Sequence, residues 1–355
     1  MTHRVSIIGA GIGAEHLAGY RALPDLYEVA SICDLDEARG QALAATAPGV
    51  GYTKDFAEVL AGAEVDIVDI CLPPHLHFQA CLDALDAGKA VICEKPLVAS
   101  LAEADALKAK VAETGGFLSP VFQYRYGLGT AQLRALIEAG LAGTAYAGTL
   151  ETHWNRPASY YDIPWRGTWE GERGGAILGH AIHIHDLLTA LMGPIARVYA
   201  ETATRVNEIE VEDCASLSIR MESGALITSS VTLGAADDTS RLRFLFEGFT
   251  VESGTAPYTP AAEGWRFTAR APTEQAAIDA VLAQVAAPKL GYAGMFEAIA
   301  QSLRSGDGNH VTLEDGRRSL EFVSAVYQSA RSAAPVALPL SADSPVYHGW
   351  MPETA

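Results

Sequence analysis

The sequence predicts an α/β protein in two parts: an N-terminal doubly wound parallel sheet, then an α/β domain built on a large, mostly antiparallel open sheet. Three observations predict it. Over residues 1–122 short apolar runs alternate with helical patterns through short links, the mark of repeated βα units with right-handed crossovers. The first run leads directly into a glycine-rich turn. From residue 145 onward the pattern changes to long alternating runs separated by turns. With 355 residues the chain is too long for one ordinary core. The expected division is 1–122 and 123–355, with room for the C-terminal tail to pack back on the first part.

In chain order, Arg4–Ile8 reads as a buried strand that opens into Gly9-Ala10-Gly11-Ile12-Gly13-Ala14, with a helix over 15–23 behind it. The register is G-x-G-x-x-A. Gly9 makes the tight turn, Gly11 lets a pyrophosphate approach the backbone, and small Ala14 permits close helix–strand packing. Free N–H groups around Ile12 and Gly13, together with the helix dipole, would hold the phosphates. A plain glycine-rich turn is the alternative. The second strand, Glu28–Cys33, ends in Asp34, about twenty residues beyond the glycines. A carboxylate there accepts hydrogen bonds from the ribose hydroxyls and repels a 2′-phosphate. Asp36 and Glu37 follow, and no Arg or Lys immediately does, so NAD is expected rather than NADP. A helix N-cap at Asp34 or Asp36 is the other reading.

The alternation continues with a helix over 36–45, a short strand over 50–52, a helix over 55–60 and a strand over 65–71. The loop Leu72-Pro73-Pro74-His75-Leu76-His77 opens a helix that Gly88 closes. Ala90–Cys93 is then a strand that stops abruptly in Glu94-Lys95-Pro96. Pro96 lacks the N–H that a ladder needs and pushes Lys95 out of the helical region. Ligands of an open parallel sheet bind beyond the carboxyl ends of its strands. Lys95 is therefore placed for work on a ligand, with an ordinary surface Lys–Glu pair as the alternative. A helix over 100–114 with a capping box at Ser100 and Glu103, and a strand over 116–121, complete the first part.

Four stretches together resemble the Gfo/Idh/MocA family of sugar and polyol oxidoreductases. They are Gly9-x-Gly11-x-x-Ala14, Pro73-Pro74-His75-x-His77, Gly88-Lys89 with Glu94-Lys95-Pro96, and Gln123-Tyr124-Arg125. The likeness extends to a tail reading Val311-Thr312-Leu313-Glu314-Asp315-Gly316. It implies a Rossmann domain whose NAD contacts include Cys71, Pro73, His77, Glu94, Lys95 and Gln123. It also implies a substrate contact at Arg125 and hydride transfer between nicotinamide and a secondary alcohol or ketone of a sugar, polyol or sugar derivative. In that chemistry Lys95 hydrogen-bonds the reacting oxygen.

The second part begins with a helix over 130–139 that ends at Gly140. Residues 145–154, 196–204, 215–221, 225–233 and 241–247 read as strands, with Ser223-Gly224 and Gly234–Ser240 as hairpin turns. One sheet face would pack on helices and the other on a second copy of the chain, giving a homodimer or homotetramer. Between the first two strands lies Tyr160-Tyr161-Asp162-Ile163-Pro164-Trp165-Arg166-Gly167-Thr168-Trp169, then Gly174-Gly175. Aromatics and an arginine in a loop suit stacking on a sugar or nicotinamide ring, or capping the core. The resemblance puts Trp165 and Arg166 at the cofactor, and Tyr161 is the substrate candidate. A helix from 176 to near Gly193 follows. At about 100° per residue, Gly179, His183 and Asp186 share a face with His180 beside them, while His185 points the opposite way. The resemblance makes His183 the general acid/base and Asp186 a group that fixes the helix or orients His183. Relatives carry an aspartate where this chain has Gly179, and His180 is expected to take over its hydroxyl contact.

A formal net charge of -18 argues against nucleic acid or an anionic membrane as partners, and no apolar run is long enough to span a bilayer. Five cysteines without C-x-x-C spacing suit a reducing compartment, and the N-terminus enters a strand with no leader, so the cytoplasm is expected. No metal is expected. His180, His183 and Asp186 have zinc-like spacing but lack a fourth ligand. Two other readings accompany a dehydrogenase: an enzyme that retains NAD and cleaves glycosides or epimerises through transient oxidation, and a non-catalytic NAD-sensing regulator.

Overall fold

Strand β1 (His3–Ile8) buries Val5, Ile7 and Ile8 at the centre of a six-stranded sheet in the computed structural model, which describes residues 2–306 and 308–352. The other strands of that sheet are β2 (Tyr27–Cys33), β3 (Gly51–Thr53), β4 (Ile67–Ile70), β5 (Ala90–Cys93) and β6 (Leu118–Pro120). They run in the order β3-β2-β1-β4-β5-β6, and every pair is parallel. The crossovers are α1 (Gly13–Arg21), α2 (Glu37–Ala44), α3 (Phe56–Ala61), α4 (His77–Asp86) and α5 (Leu101–Thr114). Strand order reverses between β1 and β4, so the loops that follow these two strands flank the crevice where such sheets bind ligands. Ser100 caps α5 by accepting from the Glu103 N–H, and Glu103 accepts in turn from the Ala99 N–H.

The doubly wound sheet and the second, antiparallel sheet are both as expected from the sequence. That second sheet has eight strands: β7 (Ala145–Asn155), β8 (Ile195–Ala203), β9 (Cys214–Met221), β10 (Leu226–Thr232), β11 (Gly234–Phe246), β12 (Phe249–Glu252), β13 (Arg266–Ala269) and β14 (Val336–Ala337). Their order is β13-β12-β11-β7-β10-β9-β8-β14, antiparallel throughout except for β10 on β7. Leu150, Leu217, Ile219, Ile227 and Phe244 are buried, whereas Thr149, Ser216, Ser218, Thr228 and Ser230 face solvent. The remaining helices of the chain are α6 (Leu128–Glu138), the single turn α7 (Trp169–Glu172), α8 (Ile182–Met192), α9 (Gln275–Leu282), α10 (Gly291–Ser305) and α11 (Leu313–Ser332). A π-helical turn over Ile177–Ala181 precedes α8. Among the described residues no helix is long and apolar enough to cross a membrane.

Two expectations are corrected. Gly234–Ser240 is not a hairpin turn: it lies inside β11, and the 11-residue β7 stands between β10 and β11 and pairs with both. Close helix–strand packing falls to Gly13 instead of Ala14. A Cβ on Gly13 would lie 2.8 Å from Ile7 Cγ2, while Ala14 is exposed, because the face of α1 turned to the sheet is Gly13, His16, Leu17 and Tyr20. Residues 292–320 fall in one compact unit with the first 122 residues, and 123–291 with 321 onward form the other. The returning segment packs on α1 and β2: Tyr20 stacks on Phe296 at 3.9 Å, Tyr27 donates to the Phe296 carbonyl at 2.7 Å, and Gly19 leaves room for the Phe296 ring.

Gly9 shows how little slack the β1–α1 turn has. Its φ is +106°, and an added Cβ would sit 2.4 Å from the Cys71 carbonyl oxygen. Gly9→Ala should therefore destabilise the protein by about 2 kcal/mol or more through strain and overlap together. Urea unfolding checks this; a variant within about 0.5 kcal/mol of the parent would contradict it.

Candidate functional site

In the first unit, the loop after β1 fits a dinucleotide. Gly9 brings the turn against Cys71, and a Cβ on Gly11 would meet nothing within 4 Å, so the backbone there is open to a bulky phosphate group. Ile12, Ala14 and Pro73 are exposed around it, whereas Gly13 and Cys71 are buried. Asp34 ends β2 as anticipated. Its carboxylate accepts from the N–H groups of Ala10 (2.7 Å) and Asp36 (2.8 Å) and is gripped by Arg39 through Nε (3.1 Å) and Nη2 (2.8 Å). Burial alone would raise the Asp34 pKa, but the guanidinium and the two N–H groups outweigh it and hold the acid below its usual range. Asp36, not Asp34, caps α2 by accepting from the Arg39 N–H. Arg39 was not anticipated, because it stands five positions past Asp34 and one turn into α2.

The loop after β5 is held from both sides. Glu94 is buried, and its Oε2 accepts from the Lys95 N–H at 3.0 Å. Its Oε1 lies 3.0 Å from His16 Nε2, while His16 Nδ1 lies 2.8 Å from Asp69 Oδ2. Tyr20 donates to the same Asp69 oxygen at 2.8 Å, and Tyr292 donates to Glu94 Oε1 at 3.3 Å. Burial alone would lower the His16 pKa; the charge and hydrogen bond of Asp69 reverse that and raise it well above the usual value. Cys71 Sγ touches the network 3.4 Å from His16 Nδ1, and burial pushes its thiol up to about 12. His77 is also fully buried, with Nδ1 2.8 Å from the Pro96 carbonyl and Nε2 2.7 Å from the Leu72 carbonyl. Lys95 itself is half-buried.

In the second unit, Gln123, Tyr124 and Arg125 form a 3₁₀ turn, with Gln123 half-buried and the other two buried. Arg125 makes a bidentate pair with Asp186 at 2.7 and 2.6 Å, both side chains being almost wholly enclosed. His183 stacks on Tyr124, with ring centroids 4.5 Å apart and planes 20° from parallel. His180 lies in the π-helical turn, so the extra residue per turn breaks the α-helical register assumed between it and His183. It meets Trp154 edge-on at 5.2 Å and receives Arg156 Nε–H at Nε2, 3.3 Å. A side chain at Gly179 would meet nothing within 4 Å. Arg166 sits over the Tyr160 ring at 4.0 Å and near the exposed Trp165 at 5.4 Å; Tyr161 is half-buried beside Tyr160. His185 bonds Ser229 at 2.9 Å, and burial lowers its pKa to about 3, so its ring is neutral and structural.

Residues 3–122 match the model of an oxidoreductase family with an NAD-binding Rossmann fold, GFO/IDH/MocA, and residues 130–252 match the GFO/IDH/MocA C-terminal domain. Inositol 2-dehydrogenase 2 of Paenarthrobacter aurescens is 30% identical over 244 residues, which is 66% of this chain and 70% of that protein. The chain belongs to the GFO/IDH/MocA family. D-Glucoside 3-dehydrogenase of Escherichia coli is 31% identical over 195 residues, and the match spans only 54% of that protein's length. Over nearly the whole chain, the crystal structure of the WlbA dehydrogenase from Bordetella pertussis with NADH and UDP-GlcNAcA is similar with a TM-score of 0.84 and 28% identity. That likeness covers 96% of this chain and 98% of that one.

In this GFO/IDH/MocA chain a second acid lies near the histidine helix. Glu212 is fully buried and accepts from the N–H groups of Gly175 (3.1 Å) and Ile177 (3.0 Å), while Tyr327 donates to both its oxygens at 3.0 and 3.1 Å. Gly175 permits this approach, since a Cβ there would lie 1.9 Å from the Glu212 carbonyl oxygen. Burial pushes the Glu212 pKa up to about 7 against these hydrogen bonds. The neutral acid is thus favoured in the folded state, and its contribution to stability is present in acid and lost as pH rises through that value. Relative to Glu212→Gln, the parent should lose stability between about pH 5 and pH 8. Denaturant titrations of both proteins across that window measure the difference, and a constant or growing advantage of the parent would contradict it.

Proposed function

We propose that this chain is an NAD-dependent dehydrogenase moving hydride between nicotinamide and a secondary alcohol or ketone of a sugar, polyol or sugar derivative. The observation that carries the reading is the placement of Lys95: β5 delivers it at the carboxyl edge of the nucleotide-binding sheet, one strand from the switch point. The relatives named after glucosides and inositol, and the one bound to UDP-GlcNAcA, share polyhydroxylated rings as their chemistry.

Bound NAD supplies the acceptor or donor of hydride. The chain's part is to orient the alcohol and move its proton. Lys95 donates a hydrogen bond to the reacting oxygen, stabilising negative charge as it grows during oxidation or polarising the ketone during reduction. His183 takes or returns the hydroxyl proton, since an imidazole titrates near neutral pH. Its stacking on Tyr124 limits the ring's rotation. Arg125 pairs with Asp186, one turn further along the same helix. His180 contacts a neighbouring hydroxyl, and the space beside Gly179 gives the substrate room. Arg156 fixes the tautomer: its Nε–H points at His180 Nε2, which leaves the His180 proton on Nδ1. Arg166, Trp165 and Tyr161 line the same loop as cofactor and substrate contacts. The polar open face of the second sheet takes a second copy of the chain, and five free thiols suit the reducing cytoplasm.

A panel of aldoses, polyols, sugar acids and glycosides, read by nicotinamide absorbance alongside product mass, tests the reaction class. Product release without net NADH would mark transient oxidation instead. On the active substrate, Lys95→Met and His183→Asn should each lower kcat by about 10²–10⁴-fold. NADH affinity, read by fluorescence, should stay within about threefold. Normal turnover by Lys95→Met would overturn the assignment.

A further inference from the structure

The structure assigns His16 and His77 as paired positioning residues that clamp the two neighbours of Lys95, one from α1 and one from α4. The clamp is visible in five distances. His16 Nε2 is 3.0 Å from Glu94 Oε1, and the other oxygen of Glu94 accepts from the Lys95 N–H at 3.0 Å. On the far side, His77 Nδ1 is 2.8 Å from the carbonyl of Pro96. Each ring is anchored by its second nitrogen to the neighbouring strand end: His16 Nδ1 to Asp69 in β4 at 2.8 Å, and His77 Nε2 to the Leu72 carbonyl just after β4 at 2.7 Å. Both rings are completely buried.

Chemistry elsewhere in the unit agrees with a clamp. Backbone beyond the end of a strand has no ladder to fix it, and a lysine side chain there has four rotatable bonds. A catalytic ammonium must nevertheless be held close to its working position, because an error of about 1 Å can cost roughly a hundredfold in rate. The main chain at residues 94–96 is therefore the part worth immobilising. A buried imidazole held between two acceptors has little freedom of its own; at His77 burial lowers the pKa of the ring, so its one N–H donates to one of the two carbonyls at a time while the other nitrogen lies beside the second. The two histidines come from the helices that follow the two strands at the switch point, so the lysine loop is tied to the same framework that shapes the phosphate turn.

The inference rests on the reading of Lys95 as the group on the reacting oxygen, and amide substitutions test it by a crossover. Asparagine places its NH2 where Nδ1 was, and glutamine places its NH2 nearer Nε2. His16→Gln keeps the bond to Glu94 and loses that to Asp69; His16→Asn does the reverse. At the other ring the assignment inverts: His77→Asn keeps Pro96, and His77→Gln keeps Leu72. Each variant is compared by thermal unfolding, by kcat, and by the 13Cε resonance of Lys95 in lysine-labelled protein. There are six lysines, and Lys95→Arg assigns the signal. His16→Gln and His77→Asn should keep the parent Lys95 resonance, while His16→Asn and His77→Gln shift the resonance and lower kcat about tenfold or more. Equal loss in both variants of a ring, or loss that tracks unfolding temperature alone, would overturn the clamp. Should the histidine variants fail to fold, Glu94→Gln reads the same arm with both rings intact: an unmoved Lys95 resonance would overturn it, and a shifted one supports it. Should Lys95→Met prove active while the resonance crossover holds, the clamp stands and the reading of Lys95 in the chemistry falls.

Discussion

A single buried imidazole, His16, joins the two carboxylates on which the nucleotide-binding unit depends. Asp69 in β4 and Glu94 just beyond the end of β5 project into a dry interior, where each unpaired charge would cost several kcal/mol. An imidazolium between them bonds both and offsets one of the two charges, and the attraction of Asp69 prevails over the desolvation that would otherwise discharge the ring. Tyr20 and Tyr292 complete the hydrogen bonding, so the network is closed by α1, β4, β5 and the returning helix α10. Its consequence for the site is mechanical. Glu94 cannot turn away from His16 without stranding a buried charge, and Lys95 is bonded through its own N–H to that same carboxylate.

The second unit solves a comparable problem with a different pair. The helix carrying His180 and His183 is buried along nearly its whole length, and Asp186 on it would be an isolated charge without Arg125. The bidentate pair removes that charge and ties the 3₁₀ turn after β6 to α8, while Tyr124 from the same turn supplies the face on which His183 stacks. Glu212 secures the beginning of the helix, and Arg156, itself held by Asp238 and Tyr258, sets the tautomer of His180. Two of these partners, Arg125 and Asp186, would pass as site residues on residue type alone; here their charges are turned on each other.

Much of this was legible in the sequence because local rules and the global fold agree. The alternation of βα units, the glycine turn, the abrupt end of β5 at Pro96 and the switch to long alternating strands each follow from backbone sterics and apolar periodicity. What was not legible depends on partners far apart in the chain. Nothing local to Gly234–Ser240 reveals that β7, some eighty residues earlier, separates β10 from β11. Packing at Gly13 depends on which helix face meets Ile7, a rotation of one residue from the motif's usual reading. The return of residues 292–320 to the first unit is written in Tyr292 and Phe296, whose partners His16, Tyr20 and Tyr27 lie near the other end of the chain. One signal was available: an aspartate at position 69, within an otherwise apolar parallel strand, requires an opposite charge, and His16 is the basic residue that α1 turns inward.

The charge state of His16 decides whether Glu94 has a counter-charge. Histidine-selective 15N labelling distinguishes protonated from bare ring nitrogens directly, and with ten histidines in the chain the His16→Gln variant identifies the signal. At about pH 7.5, a unit above the ordinary histidine pKa, His16 is expected to carry protons on both nitrogens and to hold them against exchange. A His16 ring with one bare nitrogen at that pH would leave Glu94 without its counter-charge and would contradict the central claim.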